Sequence, residues 1–301
     1  QTWKERDYLI VFGIPSVDID ERRRRRYLQR TTCWQFPDVA TRSNNFTGAM
    51  LVLYVLARHP SQGYEYSATL EKEAEECQDV ITLSMNEGRV TTNKTIGRFG
   101  YWGLEAEVGM SRKSYFWFEL ALRLFPNTTY ISKGDDDMFL RVPQFLADLR
   151  TLPRYGIYWG RIWSGVGPVQ YEFMLGSCMT LSRDVVQQVV WCEALRRLVY
   201  LPFSEDRKRD YDGFSMFHED MMVGHVLHLS KYKGLVYVIE KVCRFHNLHG
   251  SPTKRRVGKK SVMVHHIKEK EYMKLMHRFG NDTTPIAKNY SRLNNRIEFD
   301  C

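Results

Sequence analysis

The stretch Lys133-Gly134-Asp135-Asp136-Asp137-Met138-Phe139 puts three adjacent carboxylates into one turn of chain. They follow Thr129-Tyr130-Ile131-Ser132, a β-branched and aromatic run that predicts a buried strand, so the acids stand at a strand's C-terminal end. That is the edge at which open α/β sheets hold their ligands. In extended chain, residues i and i+2 point the same way, which turns Asp135 and Asp137 towards one site and leaves Asp136 to hold the turn. Three neighbouring carboxylates repel one another unless a cation or several donors sit among them. Oxygen ligands of this kind suit Mg²⁺ or Mn²⁺, which take further ligands from a substrate's phosphates. The pattern points to metal-assisted chemistry on a diphosphate-bearing substrate. The competing reading is an acidic surface turn or a helix N-cap. An EF-hand calcium loop is excluded, because its Asp-x-Asp-x-Asp-Gly register is absent.

Other segments carry residues of the right type. In His218-Glu219-Asp220-Met221-Met222-Val223-Gly224 a carboxylate pair opens a predicted helix. Such a pair complements the helix dipole; beside a metal-bound diphosphate, an aspartate there also suits removal of a proton from an attacking hydroxyl. His265-His266 follows the apolar Val262-Met263-Val264 and is either structural or the source of one imidazole ligand. The five consecutive arginines Arg22 to Arg26 read as a solvated face or a nucleic-acid patch. The alternative is that one of them orders the strand-to-helix turn or grips a phosphate. Trp159, Trp163, Tyr171 and Phe173 are candidates for stacking on sugar faces and equally for the core.

The elements that must position these groups alternate. Strands are predicted at 8–12, 49–57, 80–83, 129–132, 157–162, 173–180, 235–240 and 262–264, with Gly176-Ser177-Cys178 allowing close backbone approach in the sixth. Helical spacing covers 18–30, 64–77, two helices within 92–125 with Ser111 as the cap between them, 143–150, 182–198, a helix from Glu219, and 268–278. Alternation of this kind implies an α/β fold: a mostly parallel central sheet flanked by helices. The expected organisation is one domain over 1–280 and a polar C-terminal tail over 281–301.

With 301 residues, 43% of them hydrophobic, the chain can bury a large core. Its net charge of +9 favours acidic partners, which include nucleic acid, anionic membrane and nucleotide phosphates. No apolar run reaches the roughly 20 residues that span a bilayer. Because the sequence starts at Gln1, a targeting or anchoring segment is expected ahead of it. Sequons at Asn45, Asn93, Asn127, Asn281 and Asn289 point to a secretory compartment, where some of the six scattered cysteines would pair.

Taken as an ordered set, Arg25-Arg26 to Arg30 with Thr32-Cys33-Trp34, Glu107 to Phe125 leading into Lys133 to Phe139, and Glu219 to Gly224 resemble the β1,3-glycosyltransferase superfamily. More narrowly, they are similar to its kinetoplastid branch, which builds surface glycans and N-glycans. The arginine motif is one residue longer than the common spacing, and Met-Met replaces the usual pair after Glu-Asp. The resemblance implies a GT-A fold, a UDP-sugar donor, a divalent ion (Mn²⁺, or Mg²⁺) and inversion at the anomeric carbon. It implies that Asp137, Asp135 and His265 or His266 serve the metal, with His265 preferred. Asp135, Asp136, Arg26 and Arg30 would serve the donor, and Asp220 with Glu219 the catalysis. It also implies a glycan acceptor on a glycoprotein or glycolipid, transfer of GlcNAc or otherwise Gal, and the Golgi lumenal domain of a type II membrane protein. The rival classes are a Mg²⁺-dependent nuclease or phosphotransferase and a catalytically silent glycan-binding protein; the sequons speak against nucleic acid as partner.

Overall fold

The runs Ile10–Pro15 and Met50–Arg58 are apolar on both faces, which a strand tolerates only when layers cover both sides of its sheet. The computed structural model, which describes residues 2–95, 100–164, 171–250, 254–282 and 284–301, supplies both layers. Val11, Leu51, Leu53, Val55 and Ile131 face one core, beneath Leu104–Leu124, Arg183–Val190, Glu193–Tyr200 and Glu219–Ser230. Their neighbours Ile10, Phe12, Ile14, Val52, Tyr54 and Leu56 face the other, beneath Asp20–Arg30, Ala68–Cys77, Val142–Leu149 and Glu269–Phe279. Period-two alternation thus feeds two hydrophobic cores at once.

Ten strands form the central sheet. From one edge to the other they run Tyr290–Leu293, Arg296–Phe299, Val236–Ile239, Ile157–Gly160, Cys178–Ser182, Tyr130–Gly134, Ile10–Pro15, Met50–Arg58 and Val39–Ala40, with Val80–Asn86 also on Met50–Arg58. Within this sheet, only the pairings of Cys178–Ser182 with its two neighbours and of the Tyr290–Leu293 hairpin are antiparallel among the described residues. This is the mixed α/β architecture that alternation predicts: a large, mostly parallel sheet flanked by helices. A smaller sheet of Phe245–Asn247, Met263–His265 and Met138–Leu140 hangs from the end of the Tyr130–Gly134 strand.

Some expectations are corrected. Ser111 caps nothing: it is buried inside the single helix Leu104–Leu124, where its hydroxyl donates to the Met216 carbonyl at 2.8 Å. The predicted strand 173–180 is two, Glu172–Met174 and Cys178–Ser182, broken at Gly176. The domain boundary at 280 also moves, because the segment 281–301 is not a tail. Its hairpin extends the central sheet, buries Ile297 and Phe299 completely, and ends in a Cys243–Cys301 disulfide. The sequence hides this because the hairpin's outer residues are polar and only Ile297 and Phe299 turn inward.

Beneath that hairpin lies a buried ionic group. Arg244 pairs with Glu240 and Asp148, the Trp159 indole donates to Glu240 at 3.0 Å, and the guanidinium lies 4.9 Å from the Phe299 ring centre. The Arg244 carbonyl accepts from Val262 at 2.8 Å, so the same residue anchors the start of the small sheet's middle strand. Removing the Phe299 ring opens a cavity and uncovers these charges. Phe299→Ala should therefore lower stability by about 3–5 kcal/mol in denaturant titration; a loss below about 1 kcal/mol would show the hairpin to be dispensable.

Candidate active site

The Tyr130–Gly134 strand runs out at a point where a side chain has no room. A Cβ on Gly134 would meet the Phe12 ring at 2.6 Å and the Met138 methyl at 2.7 Å, so glycine lets the chain turn against the core. Met138–Leu140 then pairs antiparallel with Met263–His265, setting Met138 opposite His265. This register carries a histidine from far along the sequence to the aspartates. His265 Nε2 lies 3.0 Å from Asp137 Oδ1 and 3.2 Å from Asp135 Oδ2. Its Nδ1 is 2.9 Å from Asn247 Oδ1, on the neighbouring strand, an arrangement that makes Nδ1 the donor and aims Nε2 at the acids.

His266 stays at the site as well. A left-handed backbone (φ 53°) folds its ring back to a 4.0 Å centroid separation from His265, and ligand atoms of Asp137, His265 and His266 all lie within 4.8 Å of one another. Both histidines therefore remain available to an ion. Burial alone would push the His265 pKa down; Asp137 and Asp135 reverse this and lift it to about 9. Burial likewise tends to raise the two carboxyls, but Lys133 and His265 hold Asp135, and His265 holds Asp137, well below the usual range.

Asp136 points the other way. Ser16 Oγ donates to it at 3.0 Å, Arg22 pairs with it, and its carbonyl accepts from the Tyr272 hydroxyl at 2.8 Å. The side chain is thus committed to the turn, and its assignment to the donor is not where the structure puts it. Arg26 and Arg30 are engaged elsewhere too. Arg26 grips Glu73 through Nε (2.8 Å) and Nη2 (2.6 Å) and also donates to Ser16 Oγ and the Val17 carbonyl, ordering the turn after the first strand. Arg30 clasps Asp79 at 2.8 and 2.7 Å. Arg23 pairs with Asp20, Arg24 with Glu269, and Arg25 donates to the Ile267 carbonyl. The arginine run is therefore an internal clamp and not an open basic face.

A buried lysine joins the acids to the second motif. Lys133 Nζ donates to Asp135 Oδ1 (2.6 Å), Glu219 Oε1 (2.7 Å) and the Gly176 carbonyl (2.8 Å). A Cβ on Gly176 would stand 2.2 Å from Glu219 Oε1, so this glycine is required for the lysine and glutamate to meet. Its N–H donates to Asp220 Oδ2 at 3.0 Å, leaving Asp220 at the first turn of the Glu219–Ser230 helix and Glu219 in a lysine salt bridge. Enclosure, then the Glu219 charge, lift the Asp220 carboxyl to about 6 against the Gly176 N–H, His218 and Lys133.

Four contributors escape a reading of the sequence. Lys133 carried a signal, since it stands two residues before Asp135 on the same strand face. Asn247 lies on a three-residue strand that nothing local announces. Glu107, bonded to the Trp102 N–H at 2.9 Å, is pushed up by burial and, among neighbouring charges, by Glu219. Lys94, its ammonium 4.5 Å from the Trp102 ring centre, has its pKa lowered by burial against the attraction of Glu107, Asp135, Glu219 and Asp137. Of the aromatic candidates, Trp159 and Phe173 belong to the core, Trp163 is exposed, and Tyr171 stacks on His225 at 4.6 Å.

The donor set is carboxylate oxygen with imidazole nitrogen, oriented from behind by Asn247. That mixture fits Mn²⁺ better than Mg²⁺, which favours oxygen alone. Asp220 is a second, chemically different carboxyl in the same group, raised where Asp135 and Asp137 are lowered. No family model and no curated protein matches the sequence. Among solved structures, one described as a glycosyltransferase involved in the glycosylation of the major capsid of PBCV-1 is similar to this chain at 12% identity and a TM-score of 0.44, over 89% of this chain and 98% of that one.

Without a divalent ion, the His265 imidazolium is the cation that Asp135 and Asp137 share. Its pKa is raised on folding, so its stabilisation is complete below the unfolded value near 6.5 and disappears as pH climbs through about 9. In chelator, thermal unfolding of the wild-type chain should lose stability between pH 7 and 10 faster than His265→Gln. Parallel curves would remove His265 from that role.

Proposed function

We propose that the chain is an inverting, metal-dependent glycosyltransferase that moves a sugar from a UDP-sugar to a hydroxyl of a glycan acceptor, forming a β linkage. One observation carries the reading: Asp135, Asp137 and His265 meet at the C-terminal edge of the parallel strands, and Lys133 and Gly176 tie that cluster to Asp220. Two of the motifs that resemble the β1,3-glycosyltransferases, Lys133 to Phe139 and Glu219 to Gly224, contain Lys133, Asp135, Asp137 and Asp220. Donor preference follows that resemblance, GlcNAc first and Gal second. The five sequon asparagines are all exposed and Cys243–Cys301 is bonded, which supports a secretory setting such as the Golgi lumen. No helix among the described residues is long and apolar enough to cross a membrane.

In this mechanism Asp137 and His265, with Asp135 or His266, hold the divalent ion. When bound, the ion would supply positive charge against the negative charge growing on a departing diphosphate. Lys133 fixes the direction of Asp135 and Glu219, so neither is free to take a proton. Asp220 is left to receive one: its Oδ2 is oriented by the Gly176 N–H, and a carboxyl titrating near 6 is ionised at neutral pH yet basic enough to accept a hydroxyl proton as the oxygen attacks. Lys94 sits over Trp102 within electrostatic reach of Asp135, Asp137 and Glu219, a positive charge for phosphate oxygens.

Calorimetry with UDP, UDP-GlcNAc, UDP-Gal and GDP-mannose, with and without Mn²⁺, tests the ligand class. Manganese-dependent binding of uridine nucleotides is expected, and no response to any nucleotide sugar would overturn the reading. Asp137→Ala should abolish that binding, whereas Asp220→Asn should bind normally and lose roughly 10²–10⁴-fold in rate. Equal loss of binding in both would refute the division of roles. The wild-type rate should climb with pH through about 6 and level off above it, as Asp220 ionises; a rate already flat from pH 5 would assign the proton transfer elsewhere.

A further inference from the structure

A cavity of about 340 Å³ lies between the end of the Val80–Asn86 strand, the first turns of Leu104–Leu124 and the residues after Val199, and it shares no lining residue with the acid site. Two arginines line it. Arg112 is only 8% exposed; its Nε donates to the Val199 carbonyl at 2.8 Å, and no carboxylate pairs with it among the described residues. Arg58 Nε is buried with no partner among the same residues. An enclosed guanidinium lacking a counter-charge is costly, as Arg112 is, and half-buried Arg58 brings a second guanidinium with an unpartnered buried Nε to the same space. Burial lowers the Arg112 pKa and nearby Arg207 adds to the effect, against Tyr211. Of the wall's carboxylates, Glu87 is neutralised by Lys113, and Glu105 sits on the first turn of the helix.

The same wall presents a fixed aromatic surface. Tyr200 is 54% exposed, but its hydroxyl is tied to Glu119 at 2.6 Å and its ring meets Phe116 edge-on at 5.0 Å. An exposed ring held in one orientation offers stacking area at little entropic cost. Positive donors inside and a rigid ring at the mouth together define a ligand: an oxyanion carried on a ring.

We propose that this cavity is a second ligand site, for a sugar bearing an oxyanion, phosphate or carboxylate, held by Arg58 and Arg112 with its ring against Tyr200. It needs no divalent ion, and so it stands or falls separately from the transfer reading. The test is calorimetry on the full chain in EDTA, with glucose 6-phosphate, glucuronate, glucose and inorganic phosphate as probes. At least one charged sugar should bind about tenfold or more tighter than glucose, as a charge-assisted hydrogen bond to guanidinium requires, and the stronger of the two identifies the anion. Arg58→Gln should lose that margin at unchanged melting temperature, and Tyr200→Ala should weaken both charged sugars without affecting inorganic phosphate. Arg112 is buried, so Arg112→Gln is read together with its melting temperature, and Arg58 decides if that variant fails to fold. Undiminished binding in Arg58→Gln, glucose binding as tightly as the charged sugars, inorganic phosphate binding as tightly as glucose 6-phosphate, or no binding of any probe at millimolar concentration would each overturn the proposal.

Discussion

An ammonium group stripped of water is tolerated only where opposite charge and carbonyl oxygen replace the solvent. Lys133 is such a group, and its replacement shell consists of Asp135, Glu219 and the Gly176 carbonyl. Three separate segments are therefore bound to one point: the end of a central strand, the break between two others, and the start of a helix. The glycine at 176 follows from the same demand, since any side chain there would occupy the place of the Glu219 carboxylate. Beyond it the polar contacts continue through Asp136 to Ser16, and from Ser16 to Arg26 and to a second buried lysine, Lys113, which donates to the Ser16 carbonyl at 2.8 Å. Asp220 is oriented from the lysine's own shell, because the Gly176 that accepts from Lys133 also donates its N–H to Asp220.

Opposed pKa shifts separate the carboxyls of the site into two kinds. Asp135 and Asp137 stand against cations and stay ionised; Asp220 lies beside Glu219 and away from any direct cation, and is pushed up. Five acids within a few side chains of one another, Glu107 included, thus do not behave as one pool of negative charge. Each is set by what it touches.

What the sequence makes legible follows the range of the interaction. Period two alone separates Asp135 and Asp137 from Asp136, and the structure keeps that division, with Asp136 turned to Ser16 and Arg22. The strands at 10–15 and 50–58 are legible because both their faces are buried, so nearly the whole run is apolar, whereas 130–134 is legible from its β-branched and aromatic start at Thr129-Tyr130-Ile131. Interactions that join distant segments leave no local trace. The arginine run looks like a basic patch because its partners Glu73, Asp136 and Glu269 are scattered through the chain. His265 looks like any histidine until its strand is set in register with Met138. The final hairpin looks like a tail because an edge strand needs few apolar residues to stay attached.

Chain order in the sheet bears on how the protein is made. The strand Ile10–Pro15 lies inside the sheet towards its Val39–Ala40 edge, and its partners Met50–Arg58 and Tyr130–Gly134 lie in the first half of the sequence. A nascent chain can therefore assemble that half, aspartates included, before the rest has left the ribosome. His265 and the strands Arg296–Phe299 and Tyr290–Leu293 come later, so during synthesis the carboxylates exist for a time without their imidazole and with one sheet edge uncovered. The group of Asp135, Asp137 and His265 is thus complete only once Met263–His265 has been made, and a polypeptide interrupted before Met263 would display an acidic turn held by Lys133 and Arg22 but lacking its imidazole.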